Sequence, residues 1–267
     1  MKRLLPLLAV AALVAVPAAS ATRAGGSVPV LHKGKLVVAF GDAAPGFTEY
    51  KLHGQKITNP KGYEVDLAKD IAAALHLTPE WIYSPWTGLF APGTKKFDIS
   101  FQEATITAQR KKTVDFTGSY MNANQGVLMS KTAPVPHSLA DLKRLQTCAQ
   151  DQTTGLQYIE DQLKPTKRPL TYPTTTAAYQ AVANGTCQAF VLDVPLILLE
   201  KKSAPSKYGP VAGQIVTHEQ YGAVLAKGSK LTPIVDNVIK HLTKNGTIAK
   251  LQKKWFKISF TAIPTLK

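Results

Sequence analysis

Apolar residues recur along this chain at spacings that alternate between those of strands and those of helices. Residues 35–40 (KLVVAF) form a nearly continuous apolar run, which is typical of a buried strand. Residues 62–75 then place apolar side chains from Val65 to Leu75 on one helical face. Further strand candidates lie at 80–83 and 97–101, and an extended stretch lies at 120–129. The order of these elements predicts an α/β unit with parallel strand pairing.

A second α/β unit starts after about residue 125 and continues beyond the break at 134–139. Its helix at 175–184 ends at Gly185 and its helix at 194–201 begins near Pro195, as the preferences of glycine and proline predict. The other candidates are strands at 145–150, 188–192 and 222–226, a short helix at 155–163 and a long helical pattern at 233–255. The pattern therefore predicts two α/β units and a C-terminal helical segment.

Residues 1–21 have the layout of a secretory signal peptide. Lys2 and Arg3 precede the apolar run 4–16, and Ala19-Ser20-Ala21 forms a small-residue cleavage site. The alternative, a membrane anchor, is disfavoured because the run is too short to span a bilayer. We expect cleavage after Ala21, a flexible N-terminal arm at residues 22–35 and no later membrane-spanning stretch.

The chain is strongly basic, with a formal net charge of +15 that becomes +13 once Lys2 and Arg3 are removed. Such an excess suits nucleic acid, an anionic surface or simple solubility. Many lysines stand singly or in pairs, and no run of Lys and Arg interleaves with aromatic residues. A solvated basic surface is therefore favoured, and no nucleic-acid partner is expected.

Motifs of the common exported enzymes are missing from the sequence. It contains no G-x-S-x-G, phosphate loop, G-x-G-x-x-G or H-E-x-x-H. Its histidines are scattered, and none has metal-ligand spacing with a cysteine. These absences lower the odds of an enzyme without excluding one, and no metal or cofactor is expected.

Seven short segments carry the strongest functional signal, because each is weak alone but all occur in register. They are GYEVDLA at 62–68, WTGL at 86–89, FDIS at 97–100, ATITAQR at 104–110, VDFTGSY at 114–120, YGAVLAKGS at 221–229, and NGTI at 245–248 with KWF at 254–256. In this order they closely resemble the polar amino-acid-binding proteins of ABC importers, the family 3 extracellular solute-binding proteins. The resemblance runs from about Gly34 to Phe256.

The resemblance implies a two-lobed α/β fold, the type II periplasmic-binding-protein fold, with lobes joined by two extended hinge crossings. Lobe one would comprise residues 36–121 and 219–267, and lobe two residues 122–218. The resemblance also implies that a free polar or basic L-amino acid is captured between the lobes and delivered to the membrane permease of an ABC importer. We expect a monomer in the periplasm, with an extracellular location as the alternative.

Arg110, in the segment T-I-T-A-Q-R, is the residue to which the resemblance assigns the ligand carboxylate. A planar guanidinium holds a carboxylate through two parallel hydrogen bonds, which suits a free amino acid. The resemblance adds the hydroxyl and the backbone amide of Thr105 to the same carboxylate. The alternative for Arg110 is a surface ion pair, for example with Asp115.

Asp193 follows the apolar strand 188–192 and precedes the helix that begins near Pro195. It therefore lies at the carboxyl end of a strand, where open α/β sheets bind their ligands. The resemblance assigns it to the ammonium group of the amino acid. The alternative is an ordinary helix N-cap.

Three more residues are candidates through the resemblance. Trp86 would stack on the ligand or cover its ammonium group, and the alternative is a core aromatic residue. Thr153 and Thr154 would hold the carboxylate from lobe two, and the alternative is an ordinary helix N-cap.

The side-chain pocket departs from the family pattern. Gln102-Glu103 stands where the family usually has two small residues, and the loop 41–47 is one residue short and lacks the usual stacking aromatic residue. If Asp42 and Glu103 both face the pocket, they favour a cationic ligand, because an unpaired buried charge is costly. The alternative is that Glu103 faces solvent and the ligand is neutral and polar.

The main competing function is an exported enzyme similar to cyclohexadienyl dehydratases, which resemble these receptors. Such an enzyme needs a placed general acid, and Glu103 is the candidate. A sensor domain is a third class, which the lack of a membrane span or kinase segment disfavours.

Cys148 and Cys187 are the only cysteines. The export signal directs them to an oxidising compartment, and the resemblance places their strands side by side in lobe two. We therefore predict one disulfide, with two buried free thiols as the alternative.

Overall fold

The computed structural model describes residues 27–267, so the predicted signal peptide at residues 1–21 lies outside the described residues. Two separate β-sheets with helices packed around them form the described part of the chain. Within residues 27–267, no helix has both the length and the apolarity needed to cross a bilayer.

The elements follow the predicted alternation of strands and helices. The strands are β1 Lys35–Phe40, β2 Glu49–His53, β3 Lys56–Lys61, β4 Thr78–Tyr83, β5 Ile99–Phe101, β6 Val114–Phe116, β7 Met121–Met129, β8 Thr147–Gln150, β9 Leu170–Tyr172, β10 Ala189–Asp193, β11 Val211–Tyr221 and β12 Val224–Ala226. The helices are α1 Tyr63–Ala74, α2 Leu139–Leu142, α3 Thr154–Tyr158, α4 Thr175–Ala183, α5 Val194–Ser203, α6 Thr232–Lys244 and α7 Thr247–Trp255.

Lobe one is the part of the molecule built around the seven-stranded sheet, whose strand order is β2-β3-β4-β1-β5-β12-β6. The central strand β1 is buried over Leu36–Phe40 and runs parallel to β4 and β5, as its continuous apolar run predicts. The sheet is nevertheless mixed, because the hairpin β2–β3 and the returning strand β12 pair antiparallel. The predicted parallel pairing is confirmed for β1, β4 and β5, and the other strands of this sheet add antiparallel pairs.

Lobe two is built around the five-stranded sheet, in the order β11-β7-β10-β8-β9. Strands β8, β9 and β10 are parallel, whereas β7 is antiparallel to both β10 and β11. Strands β7 and β11 begin their pairing at Met121 and Tyr221, beside lobe one, and continue into lobe two. The proposed lobe boundaries fall within these two strands.

The pairing of β7 with β11 is interrupted where the chain passes between the lobes. The register shifts between Ile215 and Glu219, and His218 has a φ of 53°. The side-chain oxygen of Asn124 accepts from the backbone N–H groups of Thr217 and His218, each at 3.1 Å. This bulge leaves a short stretch without ladder hydrogen bonds, which suits a hinge.

The C-terminal helical pattern divides into two helices. Gly246 has a φ of 79°, in the left-handed region, so α6 ends before it and α7 begins after it.

The last residues of the chain depart from the expected division into lobes, because residues 264–267 pair with lobe two. The N–H of Leu266 donates to the carbonyl of Gln214 at 2.9 Å, which satisfies part of the edge strand β11.

The segment predicted as an N-terminal arm, residues 22–35, is described from residue 27. There it lies against lobe one, because the N–H of Leu31 donates to Asp98 at 2.8 Å and the imidazole of His32 lies 3.1 Å from Glu80.

The predicted disulfide is confirmed. Cys148 lies on β8 and Cys187 just before β10, and these parallel neighbours bring the two α-carbons to 5.8 Å. The bond links two strands of lobe two and contributes no atom to the cleft described below.

Candidate ligand-binding site

A cavity of about 700 Å³ lies between the two lobes. The structure brings every residue predicted for the site to its wall. These residues are Asp42, Trp86, Glu103, Thr105, Arg110, Thr153, Thr154 and Asp193. Lobe one supplies five of them and lobe two the last three, so the cavity is a cleft between lobes.

Arg110 begins a short 3₁₀ turn after β5 and is only 8% exposed. Its Nη1 donates to the carbonyl of Thr105 at 2.8 Å, and its Nη2 donates to the carbonyl of Gln152 at 2.8 Å. Its guanidinium carbon lies 4.1 Å from the ring centroid of Phe90 and 5.2 Å from that of Trp86. Backbone and aromatic contacts from both lobes therefore hold the guanidinium in a fixed plane.

The surface ion pair suggested as an alternative for Arg110 is wrong. Asp115 pairs instead with Lys227, at 3.2 Å. Burial lowers the pKa of Arg110 to about 10, so the side chain stays cationic at neutral pH. A guanidinium has five N–H donors, and the two carbonyls use only two of them. The others remain for an anion in the cleft.

Asp193 ends β10 at the start of α5 and is 7% exposed. Its carboxylate accepts from the hydroxyl of Tyr221 at 2.6 Å and from Nε2 of Gln125. It makes no side-chain capping bond to α5, so the N-cap alternative does not describe its contacts. Burial, and then the nearby Glu219 carboxylate, raise the pKa of Asp193 to about 7.

Glu219 on β11 is a cleft residue that the sequence analysis missed. Its Oε2 accepts from the hydroxyls of Thr105 at 2.8 Å and Thr154 at 2.6 Å. Its two oxygens also accept from Nε2 of Gln125, at 3.1 Å and 3.2 Å. One carboxylate thus joins a threonine of lobe one to a threonine of lobe two.

This arrangement limits what the hydroxyls of Thr105 and Thr154 can offer to a ligand. A hydroxyl has a single hydrogen to donate, and Thr105 and Thr154 both donate theirs to Glu219. While these bonds persist, the hydroxyls are available to a ligand only as acceptors.

Thr153 and Trp86 have clear structural roles besides lining the cleft. The hydroxyl of Thr153 accepts from the N–H of Leu156 at 3.2 Å, so Thr153 is the N-cap of α3, as its alternative proposed. Nε1 of Trp86 donates to the carbonyl of Asp151 at 3.0 Å, across the cleft. The indole is half-buried, and one of its faces lies next to Arg110.

Residues 36–258 match the family of bacterial extracellular solute-binding proteins, family 3. This chain belongs to that family. The resemblance found in its sequence segments is thereby confirmed, and the two-sheet α/β fold agrees with it.

Named relatives of this family 3 protein include both sequences and solved structures. The "Probable amino-acid-binding protein YxeM" of Bacillus subtilis strain 168 is 28% identical over 265 residues, covering 96% of each chain. A solved ancestral arginine-binding protein, bound to arginine, has a TM-score of 0.75 at 28% identity and covers 84% of this chain and 99% of its own. A solved ancestral amino acid-binding protein, described as a precursor of cyclohexadienyl dehydratase, has a TM-score of 0.72 at 33% identity, with coverages of 84% and 95%.

The lobe-one wall of this family 3 protein carries an acidic pair. Glu103 has a φ of 48°, and its N–H donates to Oε1 of Glu64 at 3.1 Å. The hydroxyl of Tyr120 donates to the same Glu64 oxygen. Burial raises the pKa of Glu64 to about 7 and, together with the neighbouring Glu64, raises that of Glu103 well above its ordinary value. Glu103 on the cavity wall therefore holds its proton more tightly than an ordinary glutamate does.

Asp42 faces the same part of the cleft. The hydroxyl of Tyr83 donates to its carboxylate at 3.1 Å. Asp42 and Glu103 both line the cavity, so the alternative in which Glu103 points to solvent is wrong.

Proposed function

We propose that this family 3 protein is an exported receptor that captures a free polar or basic L-amino acid and delivers it to the permease of an ABC importer. The observation that carries this proposal is a pair of opposite charges on one cavity. Arg110 comes from lobe one and Asp193 from lobe two, and both are more than nine-tenths buried. A zwitterion supplies the two charges that such a pair requires.

In this proposal the α-carboxylate of the amino acid lies against Arg110 and its ammonium group against Asp193. The guanidinium already has its plane fixed by two carbonyls, so little side-chain freedom is lost when a carboxylate binds. Desolvation is tolerated because each charge of the ligand finds a charged partner.

The acidic wall supports a preference for a basic side chain. Asp42 and Glu103 line the cavity, and a cationic group beside them would favour the ionised form of Glu103. The solved arginine-bound relative is in keeping with such a ligand. A neutral amide, as in glutamine, is the other polar side chain that these groups could bind by hydrogen bonds.

Closure of the lobes around the ligand follows from the contacts across the cleft. Arg110 reaches Gln152 and Trp86 reaches Asp151, so the two lobes meet directly at the site. Opening would break these bonds and bend the strands β7 and β11 at their bulge. A closed, ligand-loaded monomer is the form that would dock on the permease in the periplasm.

The enzyme alternative has one supporting feature, the carboxyl of Glu103 on the cavity wall, whose pKa is raised well above its ordinary value. The related solved precursor, however, is described as an amino acid-binding protein. We therefore favour binding without turnover.

A thermal-shift screen of the twenty amino acids tests the proposal, because a ligand that binds only the native state raises the melting temperature. We expect polar or basic amino acids to do so, and Arg110→Lys to weaken their binding at least tenfold, since lysine loses the bidentate geometry. The exposed Lys112→Ala is the matched control and should leave binding unchanged.

Two results would contradict the proposal. One is a screen in which no amino acid stabilises the protein. The other is turnover of prephenate or arogenate, which would favour the dehydratase instead.

A further inference from the structure

Two carboxyl groups meet at the lobe-one wall of the cleft. Glu103 lines the cavity, whereas Glu64, the second residue of α1, lies behind that wall and is fully buried. The N–H of Glu103 donates to Oε1 of Glu64 at 3.1 Å, and the hydroxyl of Tyr120 donates to the same oxygen. With a φ of 48°, Glu103 adopts a backbone conformation that is uncommon for a residue with a side chain, and its bond to Glu64 helps to hold it there.

The other oxygens of this glutamate pair show where a proton belongs. Oε2 of Glu64 and Oε1 of Glu103 are both shielded from solvent, and no donor group of residues 27–267 reaches either of them. A buried acceptor without a donor is costly, and two ionised carboxylates side by side also repel each other. A single proton, carried by one carboxyl and donated to the other, removes both penalties.

The surroundings of the glutamate pair add negative charge. Asp42, in the loop after β1, and Asp193, at the end of β10, both act on Glu103 through their charges, and Arg110 lies on the wall of the same cavity. In the part of the chain from residue 27 onward, no lysine or arginine forms an ion pair with either glutamate. The remaining titratable neighbours are five tyrosines: Tyr50, Tyr63, Tyr120, Tyr179 and Tyr221. Burial raises the pKa of each phenol, so these side chains are neutral at pH 7.

The electrostatics of the two carboxyls agree with a shared proton. Burial raises the pKa of Glu103 well above its ordinary value, and the charge and the side-chain hydrogen bond of Glu64 raise it further. Burial also raises the pKa of Glu64, to about 7, although hydrogen bonds from Tyr120 and Glu103 act in the opposite direction. These effects favour Glu103 as the donor and Glu64 as the acceptor.

We propose that Glu64 and Glu103 hold one proton between them in the ligand-free protein, and that a cationic side chain of the ligand displaces this proton to solvent. The inference rests on the proposed function, because it requires an amino acid between Arg110 and Asp193. The O–H bond of Glu103 breaks, its electron pair stays on the carboxylate, and the proton passes to buffer. The carboxylate then pairs with the ligand cation.

The charge of the ligand side chain decides whether this exchange occurs. A positive charge within about 4–6 Å favours the ionised form of a carboxyl by about 10- to 1,000-fold, which opposes the repulsion between the two carboxylates. A neutral amide offers no such charge and leaves the proton in place. Glu64 contacts no ligand, yet it sets how tightly Glu103 holds its proton, so it is a positioning residue for specificity.

Titration calorimetry at pH 7, in buffers of different ionisation enthalpy, counts the protons released on binding. The probes are L-arginine and L-glutamine, whose α-carboxylate and α-ammonium groups are the same. Any proton released by Asp193 is therefore common to both ligands and cancels in the difference. We expect L-arginine to release about one proton more than L-glutamine.

Three variants identify the source of that proton. Glu103→Gln removes the acid, so the two ligands should release equal numbers of protons, and L-arginine should bind at least about tenfold more weakly. Glu64→Gln has the same shape but offers an amide donor to Glu103, which should then be ionised before the ligand arrives. The difference should vanish there too, and L-arginine binding should depend on pH no more steeply than L-glutamine binding. The exposed Glu160→Gln is the matched control and should keep the wild-type difference.

The outcomes separate this inference from the proposed function. If neither ligand binds the wild-type protein, the proposed function fails and the inference fails with it. If both bind and release equal numbers of protons, or if L-glutamine alone binds, receptor function stands and the inference is overturned. An excess for L-arginine that persists in Glu103→Gln also overturns it, because the proton then comes from another group. If L-arginine alone binds, or if Glu64→Gln does not fold, the fall of about one proton from wild type to Glu103→Gln decides the matter.

Discussion

Asp193 should make amino-acid binding depend on pH near neutrality. Its pKa in the ligand-free protein is raised to about 7, first by burial and then by Glu219. A ligand ammonium group needs the ionised carboxylate, so below pH 7 binding must first displace a proton. Affinity should therefore fall by about tenfold for each pH unit, or about 100-fold at pH 5, equivalent to about 3 kcal/mol.

The raised pKa of Asp193 has the opposite effect on the stability of the ligand-free protein, which decreases as pH rises. The folded pKa lies above the unfolded value of 3.8, so the native state binds the extra proton between these two values. The free energy of unfolding should fall as pH rises from about 4 to about 7, by on the order of 4 kcal/mol for this group. Asp193→Asn removes the ionisable group and should flatten this part of the stability profile.

The assay is titration calorimetry with L-glutamine, whose side chain is neutral, from pH 5 to pH 8, with Asp193→Asn and Glu103→Gln as paired variants. We expect Asp193→Asn to bind more weakly at pH 8 and to lose the slope. Glu103→Gln should keep the slope, because a neutral amide side chain of the ligand does not require the Glu103 carboxyl to ionise. A flat wild-type profile would refute the reasoning, as would an Asp193→Asn profile that still declines toward pH 5.

Two further predictions concern the lobes. Glu219→Gln weakens the bonds that join Thr105 to Thr154, so the ligand-free protein should open more readily and show a larger radius of gyration in small-angle scattering. A radius equal to that of the wild type, with and without ligand, would count against this role. Replacing Cys148 and Cys187 by alanine removes a bond that spans 39 residues and should lower the free energy of unfolding by about 2–4 kcal/mol, with unchanged ligand affinity. Denaturant unfolding measures the difference, and coincident midpoints would contradict the prediction.

Sequence patterns were sufficient for the elements whose signals are local. The apolar run at β1, the helical face of α1 and the proline that opens α5 each act within a few residues, and each predicted its element. The pairing of β2 with β3 was missed because this hairpin is mostly exposed and lacks the alternation of a half-buried strand.

The sequence also determined which residues could recognise a zwitterion. Arg110 was identified by the segment that contains it and Asp193 by its place at the end of an apolar strand, and the structure places both on the cavity. Their partners could not be found in this way. Gln125 and Glu219 lie on different crossing strands, and only the pairing of β7 with β11 brings them together.

Tertiary structure alone decided the electrostatic state of the cleft. A glutamate or an aspartate has the same ordinary pKa wherever it occurs in a sequence, and burial next to another carboxylate is what raises the values of Asp193 and Glu103. Local sequence thus specifies the groups and their spacing, whereas the packing of the two lobes specifies their charge and their access to a ligand.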